Sequence, residues 1–415
     1  MSDITTSSLT KISPNRMKAA ILQHARSLNP AFFWGHPGVA KSAVIAQVTK
    51  ALGYHLEDIR LSQMSSIDLR GMPTKGGTDS EPQVIWAMPD FLRRAKHEWE
   101  VNKRPTVFFF DELNSAGTEV MKAAYQFIFD RRIGPFKLNP KDVVLAAGNF
   151  MSDGSNVSEM PIALLNRFKH YHTVVNADDW CSWAIKANIH PWIIAYIDAN
   201  PLSLHYFQKK NAVQLLQSSA EKAFYTPRTW EFLSNDLHAI LGTEYATYEQ
   251  VQVEDENFDI EPFGEEDLKL IAASAVGSAM AEEFMSFIRL GKDVPKAKDV
   301  LEGNAENNER LRGNLSGCYM LSNSACYILK KEKDEYNAAT NKETKDHLKA
   351  ISDSHVKNFI NFAKVNFNED LFTLATVEKM TRQLKIIAPM SSPEAKMVLD
   401  AFNKITKIDK FIEES

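Results

Sequence analysis

The stretch Ala31-Phe32-Phe33-Trp34, followed by Gly35-His36-Pro37-Gly38-Val39-Ala40-Lys41-Ser42, constrains this chain more than any other. Four apolar residues, a glycine-bearing turn and then helical periodicity over 41–52 read as strand, turn and helix. Small residues in such a turn let successive backbone N–H groups point at one anion. A helix opening there brings the positive end of its dipole to bear on it. In this pattern Lys41 reaches the β- and γ-phosphates of a nucleotide, and the Ser42 hydroxyl ligates Mg2+. The general pattern asks for glycine before the lysine, and Ala40 is the smallest departure from it.

Other segments supply the sheet such a turn needs. Residues 56–61, 106–110 and 143–147 read as strands, the last two almost wholly apolar, as strands buried on both faces are. Helical patterns over 14–27, 91–100 and 119–129 alternate with them, the first signalled by Ser13 as cap and Pro14 at the first helical position. Alternation predicts an α/β fold, an αβα three-layer P-loop NTPase domain with a parallel sheet over 1–177. Beyond it the reading is all helical, with a lid over 178–291 and an extension over 292–415. One continuous helix is expected over 266–290. Val398, Phe402, Ile405, Ile408 and Ile412 suggest another behind Ser392-Pro393-Glu394. Ten acidic residues and no Lys or Arg fall between Glu244 and Asp267, which reads as a solvated loop rather than a docking segment.

Two more apolar runs end in chemistry. Phe108-Phe109-Phe110 closes on Asp111-Glu112, and Ala146-Ala147-Gly148 on Asn149. A carboxylate at the carboxyl edge of a parallel sheet lies where such sheets bind ligands. Asp111 could hold Mg2+ through water, and Glu112 could orient and deprotonate an attacking water. Alone, an acidic pair at a strand end is a solvated feature; some seventy residues after a phosphate loop it is more. Asn149 could hydrogen-bond a γ-phosphate or the attacking water, or simply occupy a turn. Arg167, after the apolar turn 162–165, is either a surface cation or a group reaching a neighbouring subunit's site. Arg228 opens a helix after Thr226-Pro227, where a cation opposes the helix dipole and so implies a partner such as phosphate.

GHPGVAKS, FFFDELNSA, LAAGN, ALLNRF and TPRTW occur in the order and spacing of MoxR-type AAA+ ATPases, which this chain resembles over roughly 13–290. The resemblance implies ATP and Mg2+ as cofactors, Gly35 to Ser42 as Walker A, and Asp111-Glu112 as Walker B. It makes Asn149 sensor 1, Arg167 an arginine finger and Arg228 sensor 2. That branch often carries alanine before the lysine. Residues 72–88 resemble its hairpin insert within helix 2, and Ser115 departs from it where arginine is frequent. The implied assembly is a homohexamer that remodels a partner protein, one carrying a von Willebrand factor A domain. The hairpin around Val84-Ile85-Trp86 and the loop 131–137 are the expected grips.

Composition sets limits on the alternatives. The net charge of −5 gives no broad basic field, so sequence-independent nucleic-acid binding is not the default. A restriction-type DNA motor with a locally basic pore is the second reading, and a nucleotide-gated scaffold with slow turnover the third. Cys181, Cys318 and Cys326 are odd in number and lack ligand spacing, which fits reduced thiols. The polar first fifteen residues lack a signal-peptide core, and no run reaches eighteen apolar residues, predicting a soluble cytoplasmic protein without membrane contact. His170 and His172 could share a strand face, but nothing completes a metal set. His36 reads as a variable position within the turn.

Overall fold

Strands apolar along their whole length need helices over both faces, and the first part of the chain provides them. The computed structural model describes residues 9–77, 82–153, 157–209, 212–218, 222–241, 264–291 and 294–368. The chain begins β1 (Thr10–Ile12), α1 (Pro14–Ser27), β2 (Ala31–Trp34), α2 (Lys41–Ala51), β3 (His55–Arg60) and α3 (Ser66–Arg70). It continues β4 (Met72–Gly77), β5 (Pro82–Ala87), α4 (Asp90–Glu100), β6 (Thr106–Asp111) and α5 (Thr118–Asp130). Then come β7 (Arg132–Ile133), β8 (Phe136–Lys137), β9 (Val143–Gly148), α6 (Ile162–Leu165) and β10 (Lys169–Thr173).

Six strands form one parallel sheet in the order β1-β10-β2-β9-β6-β3. The period of two divides their side chains cleanly. Phe32, Trp34, Phe108, Phe110, Val144 and Ala146 join one core with residues of α3, α4 and α5. Ala31, Phe33, Val107, Phe109, Val143, Leu145 and Ala147 join the other with residues of α1 and α2. Phe32, Phe33, Phe108, Phe109 and Phe110 are wholly buried, each contributing about 2 kcal/mol of transfer free energy. This is the P-loop NTPase fold that the alternation of strands and helices predicts.

Two strands lie beyond the sequence reading. β10 is Lys-His-Tyr-His-Thr, and its histidines disguise a half-buried strand. His170 Nδ1 accepts from Trp34 Nε1 at 3.0 Å while its Nε2 donates to the Leu165 carbonyl at 2.7 Å; burial lowers its pKa, against the raising effect of the Leu165 bond. β1 is three residues long and carries no pattern. β4 and β5 pair antiparallel as a hairpin at the position of the expected insert. The loop expected over 131–137 is a tighter hairpin, β7 on β8.

The chain divides into two units, Met1–Asn176 with Phe207–Ser219, and Ala177–Tyr206 with Ala220–Ser415. The first also holds α9 (Ala212–Ser218). The second is helical in its described residues. It holds α7 (Ala177–Lys186), α8 (Pro191–Ala199), α10 (Pro227–Leu241), α11 (Glu265–Val276), α12 (Ser278–Gly291), α13 (Ala297–Glu302), α14 (Leu315–Ala338) and α15 (Lys342–Asn366). α14 lies along α8 and α15, and Trp230, Phe284 and Ile193 are fully buried in the unit's core. The single helix expected over 266–290 is two, α11 and α12. Gly277 adopts φ 93°, a left-handed value that ends one helix and lets the next fold back against it. Apolar spacing runs on through the glycine, which is why pattern alone merges them.

Most of the acidic stretch 244–267 and the helix expected from Ser392 lie outside the described residues. Among the described residues no helix is long and apolar enough to cross a membrane. Cys181, Cys318 and Cys326 are buried and stand outside any disulfide among the described residues.

Candidate nucleotide site

The carboxyl ends of β2, β9 and β6 are adjacent because those strands are neighbours in the sheet. Each end delivers one predicted segment, so the topology brings together what the sequence separates. Gly35 N donates to the Gly148 carbonyl at 3.2 Å, joining the turn after β2 to the end of β9. A side chain at Gly35 would meet the Thr173 carbonyl at 2.9 Å. Gly38 takes φ 80° and Ala40 φ 67°, so the turn needs two left-handed residues before α2 begins at Lys41. The second is where the general phosphate-loop pattern has glycine.

Lys41 is buried, and its ammonium donates to the carbonyls of Gly35 at 2.6 Å and His36 at 3.1 Å, and to Asn149 Oδ1 at 3.1 Å. The Ser42 hydroxyl donates to Asp111 Oδ2 at 2.7 Å. Glu112 N donates to Asp111 Oδ1 at 3.0 Å, and Glu112 itself sits at φ 54° in the left-handed region. Its carboxylate is held from the next strand's end, where Ser62 Oγ donates to Oε2 at 2.5 Å. Lys41, Ser42, Asp111, Glu112 and Asn149 are therefore gathered at one sheet edge.

Residues that sequence reasoning did not single out tie this edge together. Asn114 is buried, and its Nδ2 donates to the Asn149 carbonyl at 2.7 Å while its carbonyl accepts from Ser158 N. A Cβ on Gly148 would lie 2.2 Å from Asn114 Oδ1, so glycine there makes room for that side chain. His36 is no idle position. Its Nδ1 bonds Asp153 at 2.6 Å and its ring stacks on Phe207 at 5.0 Å, while the other Asp153 oxygen accepts from Phe150 N at 3.1 Å. The FDELN string flags Asn114, but nothing in the sequence points to Asp153 or Phe207.

Arg167 follows α6, donates from Nη2 to the Tyr125 hydroxyl at 3.0 Å and lies with its guanidinium carbon 3.4 Å above the Phe129 ring. Arg228 stands in the first turn of α10, in the second unit. Thr226 Oγ1 caps that turn by accepting from Thr229 N at 3.2 Å.

A nucleotide fits these residues. The turn supplies a helix N-terminus free of acidic side chains, and the buried ammonium already lies against carbonyl oxygens that an anionic phosphate would replace. The Ser42–Asp111 pair offers a hydroxyl and a carboxylate to a hard divalent cation.

Residues 30–173 match the AAA domain (dynein-related subfamily). Midasin of Giardia intestinalis is 27% identical over 199 residues, covering 44% of this chain and only 4% of that much longer protein. A candidate ATPase from Cytophaga hutchinsonii aligns over 94% of this chain and 90% of its own at 12% identity, with a TM-score of 0.29. The Thermotoga maritima RuvB Holliday junction branch migration motor aligns over 70% of this chain and 74% of its own at 12% identity, with a TM-score of 0.32. Superpositions this loose carry no argument about function. The matched segment contains the whole sheet-edge cluster, and residues 30–173 carry the P-loop NTPase AAA fold.

Proposed function

We propose that the chain is a MoxR-like AAA+ ATPase that works in the cytoplasm as a homohexameric ring and couples hydrolysis to remodelling or activating a partner protein. The observation carrying the catalytic part is the contact of Ser42 with Asp111, beside Lys41 and Asn149, at one edge of the parallel sheet. Bound MgATP would supply the reactive phosphoanhydride. Lys41 and the turn's N–H groups would bind its phosphates, and Ser42 and Asp111 would hold the metal, Asp111 through water. Glu112 would accept a proton from water that Asn149 helps to orient. Arg167, which lies apart from this cluster against α5, would serve the neighbouring subunit, and Arg228 would respond to the γ-phosphate from the lid.

The remodelling part rests on an exposed apolar hairpin. Val84, Ile85 and Trp86 on β5 are 69%, 52% and 41% exposed, and Met72, paired with Ala87 at the start of β4, is also exposed. Solvated apolar residues clustered on one element suit a protein-gripping surface. The partner of choice is one carrying a von Willebrand factor A domain.

Steady-state hydrolysis by Glu112→Gln is expected to fall by about 10²- to 10⁴-fold, the contribution of a general base, with nucleotide still bound. Wild-type turnover in that variant overturns the assignment. Mixing Arg167→Ala with Lys41→Ala protein should restore activity at hybrid interfaces, and absence of restoration in rings known to exchange subunits removes the contribution in trans. Trp86→Ala should lower partner-stimulated turnover while basal turnover holds; no change in stimulation removes the hairpin's role. A pull-down on the Glu112→Gln protein should retain the partner in ATP.

A further inference from the structure

Arg167 is held in an unusual way for a side chain meant to act elsewhere. Tyr125 and Phe129 stand one turn apart on the same face of α5, their ring centroids 6.4 Å apart. The guanidinium lies flat over Phe129, its carbon 3.4 Å from the ring centroid, and donates once, from Nη2 to the Tyr125 hydroxyl at 3.0 Å. Its Nε is buried and makes no hydrogen bond among the described residues, an uncommon condition for a charged donor. Phe129 is nevertheless 51% exposed, a large apolar ring at the surface.

These facts have one economical explanation. Stacking on an aromatic face satisfies a guanidinium without using its N–H groups, which all lie in its plane. A hydroxyl at one edge then fixes the rotation about the stacking axis. An arginine has four side-chain torsions to lose on binding an anion, whereas the two aromatic rings have two each. Ordering it in advance against a rigid helix removes that entropy from the catalytic step.

We infer that Tyr125 and Phe129 are positioning residues that hold Arg167 flat and preordered for the nucleotide of the neighbouring subunit, an inference that rests on the finger role proposed above. α5 begins at Thr118, six residues beyond Glu112, so the element that clamps one subunit's finger continues from that subunit's own acidic pair.

The test is a hydrolysis assay on Phe129→Ala, Phe129→Tyr, Tyr125→Phe and Arg167→Ala, with Lys41→Ala as mixing partner. Phe129→Ala is expected to lower kcat at least tenfold with KM within about twofold, and Phe129→Tyr to recover to within threefold of wild type. Tyr125→Phe should cost about three- to tenfold. Mixing Phe129→Ala with Lys41→Ala should raise activity above either alone, because the intact site then receives an intact finger. Damage to α5 that spoiled the subunit's own Glu112 would give no such gain. If Arg167→Ala is crippled and complemented by Lys41→Ala while Phe129→Ala keeps wild-type kcat, the positioning role is wrong and the finger stands. If Arg167→Ala keeps wild-type kcat, the finger reading fails, and this inference with it. Loss in Phe129→Ala that mixing does not relieve, in rings where Arg167→Ala is relieved, also overturns it.

Discussion

The Ser42 hydroxyl donates to Asp111 Oδ2 at 2.7 Å across 69 residues of chain. One group opens α2 and the other ends β6, and β9 lies between β2 and β6 in the sheet. If the two hold one divalent cation, they act as a unit and their losses should not multiply. Ser42→Ala and Asp111→Asn are each expected to lower kcat/KM for MgATP by at least 10²-fold. The double variant should be no more than about tenfold worse than the worse single one. Phosphate release measured at several Mg2+ concentrations decides it, and a double loss equal to the product of the singles would assign them independent roles.

Much of this site is legible in the sequence because its segments are marked by contrast. Phe108, Phe109 and Phe110 are wholly buried, so Asp111 and Glu112 mark the edge where burial stops. The same contrast marks Asn149. What joins the segments is harder to read, because such contacts depend on sheet order and not on local pattern. Asp153 anchoring His36, Ser62 reaching Glu112 and Asn114 beneath Gly148 connect residues whose spacing carries no period. β10 escaped for a related reason: its histidines look solvated until Trp34 and the Leu165 carbonyl satisfy one of them.

Ala40 stands at φ 67°, where a Cβ costs about 1–2 kcal/mol that glycine avoids. Glycine adds roughly 0.5–1 kcal/mol of unfolded-state entropy in return. Ala40→Gly should therefore be neutral to stabilising by up to about 1 kcal/mol, against the usual direction for that substitution. Thermal unfolding without nucleotide gives the sign, and a lower Tm contradicts the strained geometry of the turn.

Gly148 presents the opposite case. A Cβ there would come within 2.2 Å of Asn114 Oδ1 and 2.8 Å of Phe32 Cζ, both of them buried side chains. Gly148→Ala should cost about 1–3 kcal/mol from overpacking and should weaken nucleotide binding by displacing Asn149. Asn114→Ala makes room but gives up the bond to the Asn149 carbonyl. In the double variant stability should recover in part while turnover stays low. Urea unfolding beside nucleotide titration separates the two, and equal stability of Gly148→Ala and wild type would refute the steric account.

His190, in the second unit, supplies a pH dependence of stability. Burial first, and then the neighbouring His238 ring at 5.1 Å, push its pKa down from 6.5 to about 3. Its Nδ1 accepts from Trp192 N at 3.3 Å at the start of α8, and its backbone N donates to Ser234 Oγ at 2.8 Å, so the neutral ring is built into the fold. Below the unfolded-state pKa the unfolded chain takes up a proton that the folded one refuses, so stability rises with pH there. The contribution is complete above pH 6.5, declines as pH falls, and is exhausted near the folded value. At pH 5 the loss from this group is about 2 kcal/mol. His190→Asn keeps an acceptor for the helix start and removes the titration. Urea unfolding at pH 7 and pH 5 should show the wild type losing about 2 kcal/mol more than His190→Asn, carboxylate titration being common to both. Equal losses in the two proteins would mean that the His190 ring is free to charge in the folded state, and that the buried pair does not set the acid limit of this unit.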